Sequence, residues 1–357
     1  MKKLDEYKEI IHKCSKCGLC QSVCPAYQTT GNECAVSRGQ FIMLRGVING
    51  DLKMNKNINK YLDTCLKCGK CSDFCPSEID IVEVILSAKA EYFKQSFEGR
   101  IMSILQSKLI FNTALNLVKN LLGRKKKFNK KFEKKAIYFG GCVEAINPKT
   151  SDYAKELLNT MQIQPLNVNF NCCGLPFLSA GNTTRFEEQM KENLEKIRNL
   201  DFDYIMTDCA SCEWTWKQYI KYADDEIKKK FEHIQFKTIY GLIKENNILF
   251  EAKKPCSVTY HTPCHGGVEN IIPQIKNIEY KELEDKNECC GFAGLTKQTQ
   301  TSKQLMTSKK ENITKTNADY ILTNCVGCVI SLNYILKFKK RVFRVIDFLR
   351  KKCRLVK

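Results

Sequence analysis

Eighteen of the 21 cysteines fall into four groups with short, repeated spacings. The first reads Cys14-x2-Cys17-x2-Cys20-x3-Cys24-Pro25, and the second repeats it as Cys65-x2-Cys68-x2-Cys71-x3-Cys75-Pro76. Each of the other two joins an upstream cysteine to a Cys-Cys-Gly and a downstream Cys-x2-Cys. They are Cys142, Cys172-Cys173-Gly174, Cys209 and Cys212, then Cys264, Cys289-Cys290-Gly291, Cys325 and Cys328. Three cysteines within seven residues can wrap one face of a cubane cluster, and a fourth beside a proline is free to reach a neighbouring cluster. Structural zinc sites instead pair two short arms across a loop. The first two groups therefore predict two [4Fe–4S] clusters, and a chain so equipped moves electrons. In two-cluster ferredoxins the fourth cysteine ligates the other cluster. Carried onto this chain, that places one cluster on Cys14, Cys17, Cys20 and Cys75, and the other on Cys65, Cys68, Cys71 and Cys24.

The Cys-Cys-Gly groups need different geometry. Adjacent cysteines in extended chain point to opposite faces, but a following glycine permits a left-handed turn that brings both sulfurs to one centre. Each group then offers five sulfur donors, more than one tetrahedral zinc needs. Either each group holds a cluster larger than one metal ion, or one cysteine stays free for redox chemistry.

The elements that must position these residues can be read around them. Helix-period stretches at Arg38–Val47 and Ile79–Phe93 make residues 1–98 a helical ferredoxin-like domain. Residues 99–135 are expected to form an amphipathic helix and basic linker. Ile101, Ile104, Phe111, Leu115, Val118 and Leu122 share one face, and eight Lys or Arg with only Glu133 lie between Arg124 and Lys135. From residue 136 the chain repeats itself. AIYFGGC (136–142) corresponds to SVTYHTPC (257–264), NFNCCG (169–174) to KNECCG (286–291), DYIMTDCASC (203–212) to DYILTNCVGC (319–328), and FKTIYGLIKE (236–245) to VFRVIDFLRK (342–351). Short β-rich runs alternate with helical stretches such as Arg185–Leu200 and Ser302–Asn317, which predicts two α/β domains, 136–250 and 251–357, with cysteines at strand ends and helix starts. The fold class expected is α+α/β: an N-terminal α-helical di-cluster ferredoxin domain followed by two tandem α/β cysteine-rich domains.

A length of 357 residues suits two or three domains. The opening MKKLDEYKEIIHKC lacks the apolar core of a secretory signal, and no apolar run approaches the ~18 residues of a membrane span. A cytoplasmic protein with reduced thiols is expected. The formal charge of +19 falls by about 10 units once eighteen thiolates are set against four iron–sulfur cores. No base-reading module accompanies the remaining basic surplus, so no nucleic-acid partner is expected. An amphipathic helix with a basic tail could instead rest on anionic lipid or on a membrane subunit, near quinone.

The repeated half resembles the cysteine-rich CCG domain of heterodisulfide reductases and of the iron–sulfur subunits of glycolate oxidase and anaerobic glycerol-3-phosphate dehydrogenase. The resemblance covers nearly the whole chain, since those subunits also join two ferredoxin-like groups to two CCG domains. Ser37-Arg38-Gly39-Gln40-Phe41-Ile42-Met43-Leu44 and CLKCGKC resemble the glycolate oxidase subunits. Tyr260-His261-Thr262-Pro263-Cys264-His265 is similar to the glycerol-3-phosphate dehydrogenase subunit. The complete Cys209/Cys212 and Cys325/Cys328 pairs depart from the glycolate pattern and leave a heterodisulfide-type activity open. The resemblance implies non-cubane [4Fe–4S] clusters on complete five-cysteine groups, and electrons arriving from a separate FAD-containing dehydrogenase subunit on their way to quinone. No GxGxxG fingerprint occurs in the chain, so the flavin is expected elsewhere. His261 and His265, beside Cys264, are candidates for hydrogen bonds to sulfur or for proton delivery. Trp214 and Trp216 are candidate shields against water. Cys34, Cys256 and Cys353 fall outside the groups and read as incidental thiols.

Overall fold

The computed structural model describes residues 1–121, 126, 128–265, 271–285, 288–292, 299–337 and 341–356. Leu122 of the amphipathic stretch, Arg124, Lys125 and Lys127 of the basic stretch, and Lys286 and Asn287 before the second Cys-Cys-Gly lie outside them. The chain divides into two compact units. One joins 1–107, 175–187 and 288–309, and the other 108–174, 188–287 and 310–357.

The first unit is built on helices. Helix Ser37–Asn49 covers the expected 38–47 stretch. Helix Ile81–Gln95 starts where the Asp80 carboxylate accepts the Glu83 N–H, and it stops at Ser96. Ser96 is extended and caps the following helix, Phe97–Leu105, by accepting the Gly99 N–H. Phe41, Leu44, Val84, Ile85 and Ala88 meet Leu4, Tyr7, Ile11, Ile58 and Leu62 in one core, with Cys14, Cys65, Cys71 and Cys75 packed on its edge. Each large side chain so buried stabilises the unit by about 1.5–3 kcal/mol.

The amphipathic run expected over 101–122 is divided into two helices, Phe97–Leu105 and Lys108–Leu121. Gln106 and Ser107 close the first one with N–H donors to Met102 and Ile104. The Gln106 carbonyl accepts from Arg185 Nε at 3.1 Å, and its side-chain oxygen accepts from Asn182 at 3.0 Å. A carbonyl held by a guanidinium 79 residues away does not continue the helical ladder.

The second unit holds two sheets of the same design. Strands β1 (Lys134–Tyr138), β2 (Ile163–Leu166), β3 (Tyr204–Thr207) and β4 (Gln235–Thr238) form a parallel sheet ordered β2-β1-β3-β4. Strands β5 (Leu249–His261), β6 (Lys276–Tyr280), β7 (Tyr320–Thr323) and β8 (Arg341–Arg344) repeat that order as β6-β5-β7-β8. Strand β9 (Cys353–Val356) adds antiparallel to the start of β5. The sequence repeat thus folds into a structural repeat, down to single hydrogen bonds. Asp203 accepts the Lys135 N–H and Asp319 the Ser257 N–H, both at 2.8 Å. One apolar core spans both sheets, from Ala136, Tyr138 and Met206 to Val258, Leu322 and Phe348.

A buried ion pair ties the halves together. Arg344, at the end of β8, meets Asp208, just past β3, at 2.7 Å, with both side chains at most 5% exposed. Tyr138 donates to the other Asp208 oxygen at 2.8 Å, while Arg344 also holds Asp347, which accepts from Asn147 and Thr150 of the first half. Removing one partner of such a pair leaves an uncompensated buried charge, at a cost of about 3–5 kcal/mol. Arg344→Met should therefore lower the urea midpoint sharply, and combining it with Asp208→Asn should recover much of the loss. Arg354→Ala, which breaks the exposed pair with Glu251, should leave the midpoint nearly unchanged. Equal small losses from Arg344→Met and Arg354→Ala would contradict the buried tie.

Candidate iron–sulfur centres

In the first unit, Cys14, Cys17, Cys20 and Cys75 line one cavity, with Arg38 and Phe41 in its wall. Cys24, Cys65 and Cys68 line a second, and Cys71 and Ser37 border both. The fourth cysteine of each group therefore sits among the first three of the other. Lys16 and Lys67, at matching positions inside the two loops, both adopt left-handed backbone (φ 60° and 57°). A non-glycine residue pays about 1–2 kcal/mol for that conformation, and here it curls each Cys-x2-Cys turn around its cavity. The Ser37 hydroxyl bears on the Cys71 thiol and lowers its pKa against the effect of burial, which suits a donor to ligating sulfur. Burial pushes the Cys24 thiol up to about 11 and Cys68 up to about 12, and raises Cys71 as well. A donor set of soft sulfurs in a partly dry cavity fits an iron–sulfur cluster.

The second unit gathers the first CCG group. Cys142 follows β1, Cys172 and Cys173 follow β2, and Cys209 caps helix Ala210–Tyr222 beyond β3, with Cys212 in the helix's first turn. Sulfur contacts run from Cys142 to Cys172, and from Cys173 through Cys212 to Cys209. All but Cys142 are buried. The turn at Cys-Cys-Gly is left-handed at Gly174 (φ 81°), whose N–H points back to Cys172 Sγ at 3.5 Å. Gly291 does the same for Cys289 at φ 73° and 3.4 Å. Neighbouring sulfurs and burial hold Cys172 and Cys212 well above the ordinary thiol range. Cys209 sits at about 12, where contact with Cys212 lowers it and contact with Cys325, together with burial, raises it further. Five such sulfurs, with no carboxylate among them, fit a thiolate-rich iron–sulfur centre.

Residues without any obvious motif hold this pocket. Tyr219 donates to the Cys173 carbonyl at 2.6 Å, and Asn193 to the Cys172 carbonyl at 3.0 Å and to Tyr219 at 3.1 Å. The one sequence signal for Asn193 is the Lys-Glu-Asn at 191–193 and again at 310–312. Trp216 is fully buried and meets Phe139 and Phe170 edge-on at 5.3 and 5.9 Å. It walls the core behind the cysteines. Trp214 does something else and stacks on His265 at 5.1 Å.

Of the second CCG cysteines, Cys264, Cys325 and Cys328 belong to the second unit. Cys325 caps helix Val326–Ile335 and Cys328 lies in its first turn. Cys289 and Cys290 belong to the first unit, where Cys289 packs with Leu66 and Leu305 and lies near Cys68. His261 is buried, with a ring nitrogen within 4.8 Å of Cys328 Sγ. The Cys325 thiol is held well below the ordinary range by contacts from Cys209, Cys328 and Ser211, against the effect of burial. Cys353 is buried in the two-sheet core with Cys256 packed against it, and Cys34 is half-buried.

Thiols that are protonated without metal must release protons to bind it. Because Cys172, Cys209 and Cys212 are raised, apparent affinity of the reduced, metal-free chain for cobalt(II) should climb between pH 6 and 8. The gain is about tenfold per pH unit for each proton released. Sulfur-to-cobalt charge-transfer absorption would measure it, and a pH-independent affinity would contradict the assignment of these thiols.

Two family models match the chain. A 4Fe-4S dicluster domain matches residues 10–79, and a cysteine-rich domain, CCG, matches residues 136–217 and again 258–333. An uncharacterized iron-sulfur protein of Methanococcus maripaludis is 25% identical over 91% of this chain and 68% of its own length. A probable glycolate oxidase iron-sulfur subunit of Bacillus subtilis is 22% identical over 92% of this chain and 90% of that one. One of the subunits of the dihydromethanophenazine:CoB–CoM heterodisulfide reductase of Methanosarcina acetivorans is 24% identical, over 89% of this chain and 87% of that one. A crystal structure of a hypothetical protein from Helicobacter pylori shares the fold, with a TM-score of 0.53 and 11% identity over 88% of this chain and 66% of that one. The chain belongs to the family of iron–sulfur oxidoreductase subunits that join a 4Fe-4S dicluster domain to two cysteine-rich CCG domains.

Proposed function

We propose that the chain is the electron-transfer subunit of a flavin-dependent 2-hydroxy-acid dehydrogenase of the glycolate or lactate type, with FAD on a partner subunit. The observation that carries this reading is the combination of two four-cysteine cavities and a cluster of five thiols, four of them buried, in a chain without a dinucleotide fingerprint. The similarity to the glycolate oxidase subunit of Bacillus subtilis supports the substrate class. We assign one [4Fe–4S] cluster to Cys14, Cys17, Cys20 and Cys75, and one to Cys24, Cys65, Cys68 and Cys71. Further clusters are assigned to the two CCG groups. Such clusters supply one-electron steps when bound. The chain's own residues hold the sulfurs, bury them and aim donors such as Ser37 at them.

A second reading rests on a specific contact. Cys209 and Cys325 touch across the two halves, which would suit a thiol–disulfide oxidoreductase of the heterodisulfide type. Anaerobic purification separates the two. The dehydrogenase reading expects a co-purifying flavoprotein, and cluster reduction by glycolate or lactate only when that flavoprotein is present. Disulfide reduction by the isolated chain, abolished by Cys289→Ser or Cys290→Ser, would favour the second reading. Iron near ~16 per chain fits four tetranuclear clusters, and near ~8 would leave the CCG groups empty.

Among the described residues no helix is long and apolar enough to cross a membrane. Peripheral attachment on the cytoplasmic side is supported by exposed apolar side chains. Helix Phe97–Leu105 presents Phe97, Ile101, Ile104 and Leu105, and helix Lys108–Leu121 presents Leu109, Ile110, Leu117 and Leu121. Lys126, Lys130 and Lys131 follow, and an apolar face with basic neighbours suits anionic lipid. Ile104→Glu with Leu117→Glu should abolish sedimentation with anionic vesicles while leaving iron content intact. Unchanged sedimentation would refute lipid attachment.

A further inference from the structure

The two Cys-x2-Cys turns of the repeat are not equivalent. In the first, Cys209-Ala210-Ser211-Cys212, the third residue carries a hydroxyl; its counterpart in Cys325-Val326-Gly327-Cys328 is a glycine. Ser211 Oγ lies 3.2 Å from Cys325 Sγ, a cysteine of the other CCG group, and 3.4 Å from His265 Nδ1. The imidazole is itself fixed by stacking on Trp214. Ser211 occupies the first turn of helix Ala210–Tyr222, and its half of the interface is registered by the Ala210 N–H, which donates to the Asn324 carbonyl at 2.8 Å. The hydroxyl therefore belongs to the first group by sequence and serves the second by contact. In the opposite direction, the backbone N–H of Val326 donates to Cys209.

We propose that Ser211 is a positioning residue that sets the reduction potential of the centre that Cys325 ligates. A ligating thiolate accepts hydrogen bonds and cannot donate them, so with Cys325 bound to metal the hydroxyl proton points at its sulfur. The remaining acceptor site of Ser211 Oγ faces His265, which orients the hydroxyl when Nδ1 carries the proton. Reduction adds negative charge to a cluster and its sulfurs. A fixed donor stabilises that added charge, so it favours the reduced form and raises the potential. One side chain thus makes the two centres unequal and biases where an electron rests between them. Gly327 offers no side-chain hydroxyl in return. The inference deepens the electron-transfer reading and rests on Cys325 ligating a cluster.

The test is an anaerobic redox titration of the full chain, followed by EPR, for wild type, Ser211→Ala and Ser211→Thr, each with its iron counted. Ser211→Ala should move the midpoint of one centre to a more negative potential and leave the other centres in place. Ser211→Thr, which keeps the hydroxyl, should stay at the wild-type value. No shift in the alanine variant, or the same shift in both variants, would overturn the proposal. Pulsed EPR of the unaltered chain in D2O gives a reading that does not depend on how the variants fold. An exchangeable deuteron should couple to the paramagnetic state of one centre, and its absence would overturn the proposal. An iron count near ~8 per chain would sink both this inference and the four-cluster reading, whereas ~16 irons with unshifted potentials would sink this inference alone.

Discussion

Five sulfur atoms gathered in a mostly buried space repel one another as soon as several lose their protons. Around Cys142, Cys172, Cys173, Cys209 and Cys212, that constraint governs the second unit. Without a cation, contact with neighbouring sulfurs and burial raise Cys172 and Cys212. With a multinuclear iron core, the same crowding becomes a ligand shell. The parallel sheets serve it by delivering cysteines at strand ends, where β1, β2 and β3 leave off. Tyr219 and Asn193 then fix the Cys-Cys carbonyls so that both sulfurs face the same centre.

Duplication built the second unit, and departures from duplication give it direction. Asp203 and Asp319 do identical work on β1 and β5. One step beyond the strands the symmetry ends. Asp208 is charged where Asn324 is neutral, and Arg344 stands where the first half has Thr238. A buried ion pair results, and it fastens the two halves beside Cys209. Ser211 against Gly327 is the same kind of difference at the sulfurs themselves. Two copies that fold alike are thereby joined in one orientation and made chemically distinct.

Much of this is legible in the sequence because it is local. Three cysteines in seven residues and a Cys-Cys-Gly turn carry their geometry in their spacing, and the repeat announces two sheets of one topology. The helices at 37–49 and 81–95 follow from apolar period and from Asp80 as a cap. What is not legible depends on distant partners. The break at Gln106 needs Arg185. The segments 175–187 and 288–309 join the helical unit although they lie inside the repeated half. Nothing in CASC distinguishes Ser211 as a partner of Cys325 rather than a helix-start serine. Trp214 and Trp216 look alike on paper, yet one is core and the other supports His265.

Paired four-sulfur cavities and a five-sulfur cluster give the chain two kinds of candidate cysteine centre. Diffraction from anaerobically grown crystals at the iron absorption edge tests this most directly. Anomalous density is expected in both four-cysteine cavities and also among Cys142, Cys172, Cys173, Cys209 and Cys212. Density in the two cavities, with none in the five-thiol pocket, would contradict that expectation.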